Sequence, residues 1–373
     1  MPIPRRVAAA ASPPIPAPTI AIERWLELII FIPSREDLDY TGNKLSSPRC
    51  QHCRRKKHCP PKPYKETARY TPSSHNKLGS IVKLGFLGLG KMGAPMASRL
   101  LETGFSLTVW NRTIEKAEPL TESGASIAAN AAEVSATAEI VLSILRDDDA
   151  AREVFNGPGG LLSVPVKDKL FIEMSTLQPQ TAKDLAGLCE KYGAGFIDAP
   201  VSGTVGPAKE GRLMALVGGN ETDFERARPV LDALTRRIVH VGPVGHGSLM
   251  KLVINLPLAV YWQSLAEASS MGHAGGLDLS VMLDVMKDSG ASLAAFPKKI
   301  PEILGQSAAV AFDIDTLHKD VESILETGSE LGVPMEMTNN VLSACESAQK
   351  AGLGTADAVT LVRFMIDSLN ESN

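Results

Sequence analysis

The chain has 373 residues, of which 44% are hydrophobic and 21% charged, and its formal net charge is −4. This length is enough for two domains. The charge is unevenly placed, because residues 1–80 carry a net +8 and residues 81–373 a net −12. The acidic body argues against nucleic acid as the substrate of this part of the chain.

Residues 1–80 are basic and proline-rich and lack sustained periodicity, so we expect a largely disordered leader that is separate from the body. Two origins remain open for it. Arg5 and Arg6 among alanines, with no acid nearby, resemble a mitochondrial presequence, although the prolines oppose an amphipathic helix. An overextended start is the alternative. The apolar run at 26–32 is too short to span a membrane, so we expect no membrane association and a cytoplasmic location, or a mitochondrial one if the leader is a presequence.

Three cysteines of the leader, Cys50, Cys53 and Cys59, have a spacing that invites a zinc interpretation. A structural zinc site usually needs a second pair of ligands beyond a loop, and none follows nearby. The basic run at 54–57 would also repel a cation. We therefore expect no metal site.

From residue 81 the chain alternates short apolar runs with helical segments, which is typical of a parallel sheet with crossover helices. Strands are predicted at 82–87, 106–110, 139–144, 170–173, 195–198, 213–217 and 238–241. The helices predicted between them include 94–103, 113–123, 179–192 and 221–234. Helical segments alone follow, at 246–275, 279–288, 295–304, 313–331, 335–351 and 355–369. The predicted fold class is α/β: an N-terminal Rossmann-type domain at 81–243, followed by an all-α C-terminal domain at 244–373.

A glycine-rich turn lies between the first predicted strand and helix. Gly88, Gly90 and Gly93 form the G-x-G-x-x-G pattern of dinucleotide-binding folds, in the strand–turn–helix context that the pattern requires. In such a turn the glycines allow a tight bend, close approach to a pyrophosphate and close packing of helix on strand. We expect cofactor contacts from Gly88, Leu89, Gly90, Met92 and Gly93.

The end of the second strand bears on the choice of nucleotide. NAD sites usually carry an acidic residue about 20 positions after the fingerprint, to accept hydrogen bonds from the ribose. This chain has Asn111, Arg112 and Thr113 there instead. Asn111 can bond a ribose oxygen, and Arg112 and Thr113 can receive a 2′-phosphate. The pattern favours NADP, with NAD as the alternative; a turn asparagine followed by a solvated arginine is the structural interpretation.

The start of the long helix carries the most suggestive chemistry. Lys251 and Asn255 are four residues apart and share a helix face, and Gly247 precedes Lys251 by one turn, leaving room for a substrate. Apolar neighbours predict burial of the amine, which would lower its pKa toward the working range of a general acid/base. On this local pattern alone, a snorkelling structural lysine remains the alternative.

The body resembles the β-hydroxyacid dehydrogenase family, which includes 3-hydroxyisobutyrate dehydrogenase, tartronate semialdehyde reductase and the glyoxylate/succinic semialdehyde reductases. The resemblance spans about residues 81–370 and rests on four motifs in family order. They are Gly85–Gly93 continued through Pro95–Ala97, Asp198–Gly203, Gly245–Asn255, and Phe312 with Lys319-Asp320 followed by Gly352–Asp357.

The resemblance implies roles at the substrate. Lys251 would be the general acid/base, and Asn255 would orient the substrate beside it. Ser202 and Gly203 would hold the substrate carboxylate. The family usually has a second glycine next, where this chain has Thr204, and this difference alters the pocket that determines the substrate.

The resemblance also implies contacts around the nicotinamide. Thr176 would lie near its ribose, Leu145 would line the cleft through its backbone, and Lys319 would reach the cofactor from the helical domain. Phe312 and Asp320 would close the substrate pocket.

The sequence therefore predicts an NAD(P)-dependent oxidoreductase, NADPH-preferring, that interconverts a short β-hydroxyacid and its semialdehyde or oxo acid with Lys251 as general acid/base. An imine reductase and a catalytically silent binding protein on the same fold are the alternatives. The expected partner is a small carboxylate-bearing substrate, with neither nucleic acid nor membrane. The resemblance further implies that the domain at 81–243 binds NAD(P), that the helical domain at 244–373 binds substrate and mediates dimerisation, and that the protein is a homodimer or homotetramer.

Overall fold

The computed structural model describes residues 82–371, which lie within one compact unit of the chain. The predictions about the leader at 1–80, including its cysteines, fall outside the described residues.

Within residues 82–371, nine strands form a single sheet. The strands are β1 (Lys83–Leu87), β2 (Ser106–Trp110), β3 (Ser126–Ile127), β4 (Ile140–Ser143), β5 (Leu170–Glu173), β6 (Gly195–Asp198), β7 (Val201–Ser202), β8 (Leu213–Gly218) and β9 (Thr235–Gly242). Their order is β3-β2-β1-β4-β5-β6-β8-β7, and β9 pairs with β8. The first six strands are parallel in the order typical of doubly wound dinucleotide-binding folds, as predicted.

The sheet is not parallel throughout, in contrast to the prediction. Strand β8 runs antiparallel to β6 and β7, and only the following strand, β9, is again parallel to its neighbour β8. A parallel return to the same edge needs a crossover of a dozen or more residues, usually containing a full helix. The link from β6 to β8 is long enough for such a crossover, but it contains only β7 and a five-residue helix and no full crossover helix, and the chain reverses direction there.

Helices lie between the strands and then follow one another to the end of the described chain. In the sheet region they are α1 (Gly93–Glu102), α2 (Glu118–Thr121), α3 (Ala131–Thr137), α4 (Asp148–Asn156), α5 (Pro179–Lys191), α6 (Val205–Lys209) and α7 (Glu221–Leu234). The later helices are α8 (His246–Ala274), α9 (Leu279–Lys287), α10 (Ile300–Ile303), α11 (Ile314–Glu330), α12 (Glu336–Lys350) and α13 (Leu361–Glu371). The Rossmann-type region followed by an all-helical region agrees with the predicted fold class.

Sequence reasoning did not name α3 and α4, although both carry a recognisable start signal. Asn130 accepts a hydrogen bond from Glu133 N, and Asp147 accepts one from Ala150 N, so each side chain caps its helix. The segment predicted as one helix at 113–123 is instead a short 3₁₀ turn followed by α2.

Apolar side chains cover both faces of the sheet. Adjacent strand residues point to opposite faces, and accordingly Phe86 packs in one buried cluster and Leu87 in another. A third cluster, which includes Trp262, Phe296 and Val321, forms the core of the helical region.

Helix α8 joins the two regions, because it packs on β8 and β9 near its start and on α9, α11, α12 and α13 along its length. It has 29 residues, a hydropathy of 1.2 in its most apolar window, and only 28% of that window buried. Its length and apolar composition alone would allow it to cross a membrane, but core helices of soluble proteins meet the same two criteria.

Candidate active site

The fingerprint turn connects β1 to α1, and two of its glycines are required by close backbone contacts. Gly88 has φ +89°, and a Cβ there would lie 2.1 Å from Ile144 O. A Cβ at Gly93 would lie 1.8 Å from Gly88 O. A Cβ at Gly90 meets no protein atom within 4 Å, so this position faces open space.

The start of α1 fits an anionic group. Met92 occupies the N-cap position without a side-chain cap, and the first turn holds no acidic residue. Ala94 N already donates to Gly90 O, and Pro95 has no N–H, so the positive end of the helix is the main attraction for a pyrophosphate, which the open side of Gly90 would admit. The residues present thus fit the phosphates of a dinucleotide.

Asn111 holds the fingerprint turn against the end of β2. Its Oδ1 accepts a hydrogen bond from Leu89 N at 2.9 Å, and its Nδ2 donates one to Thr113 O at 2.8 Å. The Leu89 side chain is buried in the core, so it anchors the turn to the sheet and is not exposed to a ligand. Both polar ends of the Asn111 amide are engaged within the protein, whereas Arg112 and Thr113 are exposed beside the turn.

A buried carboxyl group joins the ends of β4 and β5. Glu173 accepts hydrogen bonds from Ser143 Oγ and from Ser175 N, the latter at 2.8 Å. Ser175 Oγ in turn accepts a hydrogen bond from Leu145 N at 2.6 Å. Burial raises the pKa of Glu173 to about 7, against the lowering effect of these donors. Sequence reasoning missed Glu173, although an acidic residue at the end of an otherwise apolar strand is a visible signal.

Asp198, at the end of β6, anchors the first turn of α8. Its Oδ1 accepts a hydrogen bond from Gly245 N at 2.8 Å, and its Oδ2 accepts one from Ser248 N at 2.7 Å. Burial raises the pKa of Asp198 to about 6. A side chain 47 residues away thus supplies the cap that the local sequence of α8 lacks, which is why sequence reasoning did not assign it.

Gly247 does not leave space for a substrate, and that prediction is wrong. A Cβ at Gly247 would lie 2.4 Å from Leu216 O and 2.5 Å from Asp198 O. The missing side chain therefore lets α8 press against the ends of β6 and β8.

Lys251 lies one turn further along α8, and burial lowers the pKa of its amine. The negative charge of Asp320 opposes this shift, and the positive charge of Lys319 adds to it. Among the residues that the structure describes, none accepts a hydrogen bond from the Lys251 amine. Within residues 82–371 the amine forms no ion pair either, so a structural ion pair does not account for this lysine.

Asp320, on α11, connects the polar side chains around Lys251. Its Oδ2 accepts a 2.8 Å hydrogen bond from Asn255 Nδ2, and its Oδ1 lies 3.0 Å from Lys319 Nζ. The second contact is an ion pair without hydrogen-bond geometry. Lys319 Nζ also donates a 2.9 Å hydrogen bond to Thr176 O, so Lys319 bridges the helical region and the end of β5. The structure thus brings together four predicted residues in this network, namely Asn255, Asp320, Lys319 and Thr176.

The other predicted substrate residues lie in two places. Phe312 lines a cavity of about 10 Å³ together with Asn255 and Asp320. Ser202 ends β7, Gly203 follows with φ +142°, and Thr204 is exposed at the start of α6. Within residues 82–371, no hydrogen bond connects Ser202, Gly203 or Thr204 to the group around Lys251.

Two family matches cover most of the described chain. Residues 83–242 match the family described as the NAD binding domain of 6-phosphogluconate dehydrogenase. Residues 245–365 match the family described as the NAD-binding region of NADP-dependent 3-hydroxyisobutyrate dehydrogenase. The cofactor is accordingly NADP, with NAD as the alternative.

Several curated proteins are similar over nearly their whole length. The 2-(hydroxymethyl)glutarate dehydrogenase of Eubacterium barkeri is 34% identical, over 76% of this chain and 94% of its own. Glyoxylate/succinic semialdehyde reductase 1 of Arabidopsis thaliana is 33% identical, over 74% of this chain and 96% of its own.

Solved structures are similar in the same region. The 3-hydroxyisobutyrate dehydrogenase of Mycobacterium tuberculosis, solved with L-serine, has a TM-score of 0.69 and 26% identity, over 76% of this chain and 99% of its own. An imine reductase from Pseudomonas sp., at 21% identity and a TM-score of 0.50, shares the fold. The protein therefore belongs to the β-hydroxyacid dehydrogenase family and is an NAD(P)-dependent oxidoreductase that acts on CH–OH groups.

Proposed function

We propose that this protein interconverts a short β-hydroxyacid and its semialdehyde or oxo acid, prefers NADPH to NADH, and uses Lys251 as its general acid/base. The observation that carries the proposal is the half-buried Lys251 with its lowered pKa, next to the Asn255–Asp320 hydrogen bond. A lowered pKa makes it easier for a lysine to give up its proton and take it back during the reaction.

In the direction of reduction, the bound nicotinamide supplies a hydride to the carbonyl carbon. Lys251 faces the carbonyl oxygen, stabilises the developing negative charge and donates its proton to it. Asn255, held by Asp320 through its amide nitrogen, keeps its carbonyl oxygen free to orient the substrate. In the reverse direction the neutral Lys251 amine accepts the hydroxyl proton, and an oxidised nicotinamide bound in the same place would accept the hydride.

The preference for NADPH rests on the end of β2. Arg112 and Thr113 are exposed beside the fingerprint turn, and no acidic residue stands in the position that an NAD site would use. An arginine fork matches a 2′-phosphate, whereas it gains little from a ribose hydroxyl. Arg112→Ala is expected to raise KM for NADPH about tenfold or more and to leave KM for NADH nearly unchanged, since charge-assisted hydrogen bonds contribute about 1.5–3 kcal/mol.

The substrate class rests on the loop after β7. Ser202 presents a hydroxyl at the carboxyl end of β7, and Gly203 follows with a positive φ of +142°, at the end of the strands where this fold binds ligands; the two are proposed to hold the carboxylate. Thr204 adds a hydroxyl at its rim. The relatives named for 2-(hydroxymethyl)glutarate and for glyoxylate and succinic semialdehyde act on substrates that share this combination of carbonyl or hydroxyl with carboxylate.

The deciding experiment measures initial rates of NADPH and NADH oxidation with glyoxylate and with succinic, methylmalonate and tartronate semialdehydes. Lys251→Met, which keeps length without a proton, is the matched variant. NADPH-dependent turnover that is lost in the variant supports the proposal. NADPH binding without turnover of any aldehyde would contradict it, and a cyclic imine would then be tested for the reductase alternative. Binding without turnover of either class would favour a silent binding protein.

We also propose that a second copy of the chain covers the helical region. Leu277, Val281 and Val285 form an exposed apolar stripe around α9, with side chains 58–65% exposed, and Met271 of α8 next to it is 76% exposed. Apolar stripes of this kind are typical of interfaces. The double variant Val281→Glu/Val285→Glu should have a lower molar mass by light scattering than the unaltered protein. The control Ile114→Glu, at an exposed apolar residue outside the helical region, should leave the mass unchanged.

A further inference from the structure

The candidate for a further role is Glu173, a buried group that the proposed proton transfer does not use. Its residue is 1% exposed at the carboxyl end of β5, the edge at which this fold binds its cofactor. A carboxyl group placed in the interior costs free energy unless donors surround it. The sequence offers apolar residues at the other three positions of the strand, so the burial of this one acid calls for a reason.

The donors around Glu173 come from two neighbouring strand ends. Ser143 Oγ, at the last position of β4, donates to Glu173 Oε2, and Ser175 N donates to Oε1 at 2.8 Å. Ser175 Oγ accepts the hydrogen bond of Leu145 N at 2.6 Å. A single carboxyl group therefore holds the chain at the carboxyl ends of both β4 and β5, which are paired neighbours.

Each of these two segments carries a residue that the proposed function assigns to the cofactor. Leu145 is held through its own N–H, and Thr176 follows Ser175 directly. Thr176 O then accepts the hydrogen bond from Lys319 Nζ, and Lys319 lies 3.0 Å from Asp320. Glu173 is thus connected to the side chains around Lys251 in three steps: its hydrogen bond with Ser175 N, the backbone from Ser175 to Thr176, and the contacts of Lys319 with Thr176 O and Asp320.

We propose that Glu173 is a positioning residue that clamps the ends of β4 and β5, so that the backbone at Leu145 and Thr176 meets the nicotinamide half of the cofactor. This inference rests on the proposed function, which assigns those two residues to the cofactor. Among the described residues, Glu173 makes no hydrogen bond to the fingerprint turn or to Arg112, which would bind the other half of the ligand, so the clamp is expected to act chiefly on the nicotinamide half.

The test separates the two halves by titrating NADPH and 2′-phospho-ADP-ribose, which lacks the nicotinamide, against the full chain. Glu173→Ala should weaken NADPH binding tenfold or more and leave the affinity for 2′-phospho-ADP-ribose within twofold. Glu173→Gln should restore most of the NADPH affinity, because its amide can accept from Ser175 N and donate to Ser143 Oγ. Ser175→Ala, which removes the acceptor for Leu145 N and the hydroxyl's own hydrogen bond to Glu173, should weaken NADPH selectively and serves if Glu173→Ala fails to fold.

Asp223→Asn is the matched control. Asp223 is also buried and hydrogen-bonded, but it lies against Gly195 at the amino end of β6, away from the carboxyl ends of the strands. It should change neither affinity. Equal weakening of both ligands by Glu173→Ala and Ser175→Ala, or no weakening of NADPH by either, would overturn the inference. Absence of NADPH binding by the unaltered protein would instead count against the proposed function.

Discussion

Asn255 Nδ2 donates a 2.8 Å hydrogen bond to Asp320 Oδ2, and this bond joins α8 to α11 beside the Lys251 amine. Asp320 also pairs with Lys319, so one carboxylate lies between two lysines and the amide that is proposed to orient the substrate. The charges of Asp320 and Lys319 act on the pKa of Lys251 in opposite directions. The pH dependence of the reaction should therefore respond to each of them with a different sign.

Asp320→Asn should shift the pH profile of reduction to lower pH. The asparagine can still accept from Asn255, but it no longer stabilises a protonated Lys251, so the pKa of Lys251 falls further and the proton needed for reduction is lost at lower pH. Lys319→Met removes a like charge and should shift the profile to higher pH. The measurement is kcat against pH at saturating NADPH for the three proteins. Shifts in the same direction for both variants would disprove this electrostatic account.

Replacing Lys251 should separate proton transfer from binding. Lys251→Met should lower kcat by about 10²–10⁴, the usual contribution of general acid–base catalysis. Lys251→Arg keeps a positive charge, but its guanidinium stays protonated and does not give up its proton, so this variant should remain almost as slow. NADPH affinity, followed by its fluorescence, should change little in either variant. An arginine variant that retains near-normal kcat would show that charge, and not proton transfer, is the contribution of this side chain.

Gly247→Ala should impair both stability and activity. The added methyl would lie 2.4 Å from Leu216 O and 2.5 Å from Asp198 O, so α8 must move away from the sheet and carry Lys251 with it. Overpacking of this kind typically costs about 1–3 kcal/mol. Gly206→Ala, where a methyl meets nothing within 4 Å, is the control. The urea midpoint and kcat should fall together for the first variant and stay unchanged for the second.

The sequence predicted the secondary-structure elements better than the contacts that hold the site residues in place. The glycine turn, the strands and the long helix follow from local periodicity and spacing, and the positions of Lys251 and Asn255 on one helix face follow from the same rule. Lys319 and Asp320 were found by family resemblance, since an adjacent lysine and aspartate on a helix carry no local signal. The contacts of Asp198 and Glu173 connect residues that lie on different strands and helices, and no local pattern specifies such pairs. Gly247 was misjudged because its neighbours come from two distant strands.

Asp198→Asn should destabilise the start of α8. The asparagine offers only one acceptor to Gly245 N and Ser248 N, so one buried N–H loses its partner, at a cost of about 1–3 kcal/mol. The loss of a negative charge at the helix N-terminus adds to the effect. The free energy of unfolding by urea and kcat should both decrease. Asp198→Glu has a side chain one methylene longer but keeps both carboxylate oxygens. Stability above that of Asp198→Asn would show that the two acceptors matter most, and a loss as large as that of asparagine would show that the position of the carboxylate matters more than the number of acceptors.

Glu173 should impose a pH dependence on stability. Its pKa rises from 4.5 in the unfolded chain to about 7 in the fold, mainly through burial. Between these values the folded state holds more protons than the unfolded state, so stability from this group declines as pH rises from about 4.5 to about 7 and is constant above. Glu173→Gln lacks this decline, and its urea midpoint should gain on that of the unaltered protein from pH 5 to pH 7 and then remain at a fixed offset to pH 8.5. Asp198 is present in both proteins, so its own titration cancels in the comparison. A constant offset across the whole range would mean that Glu173 titrates at the same pH in the folded and unfolded states.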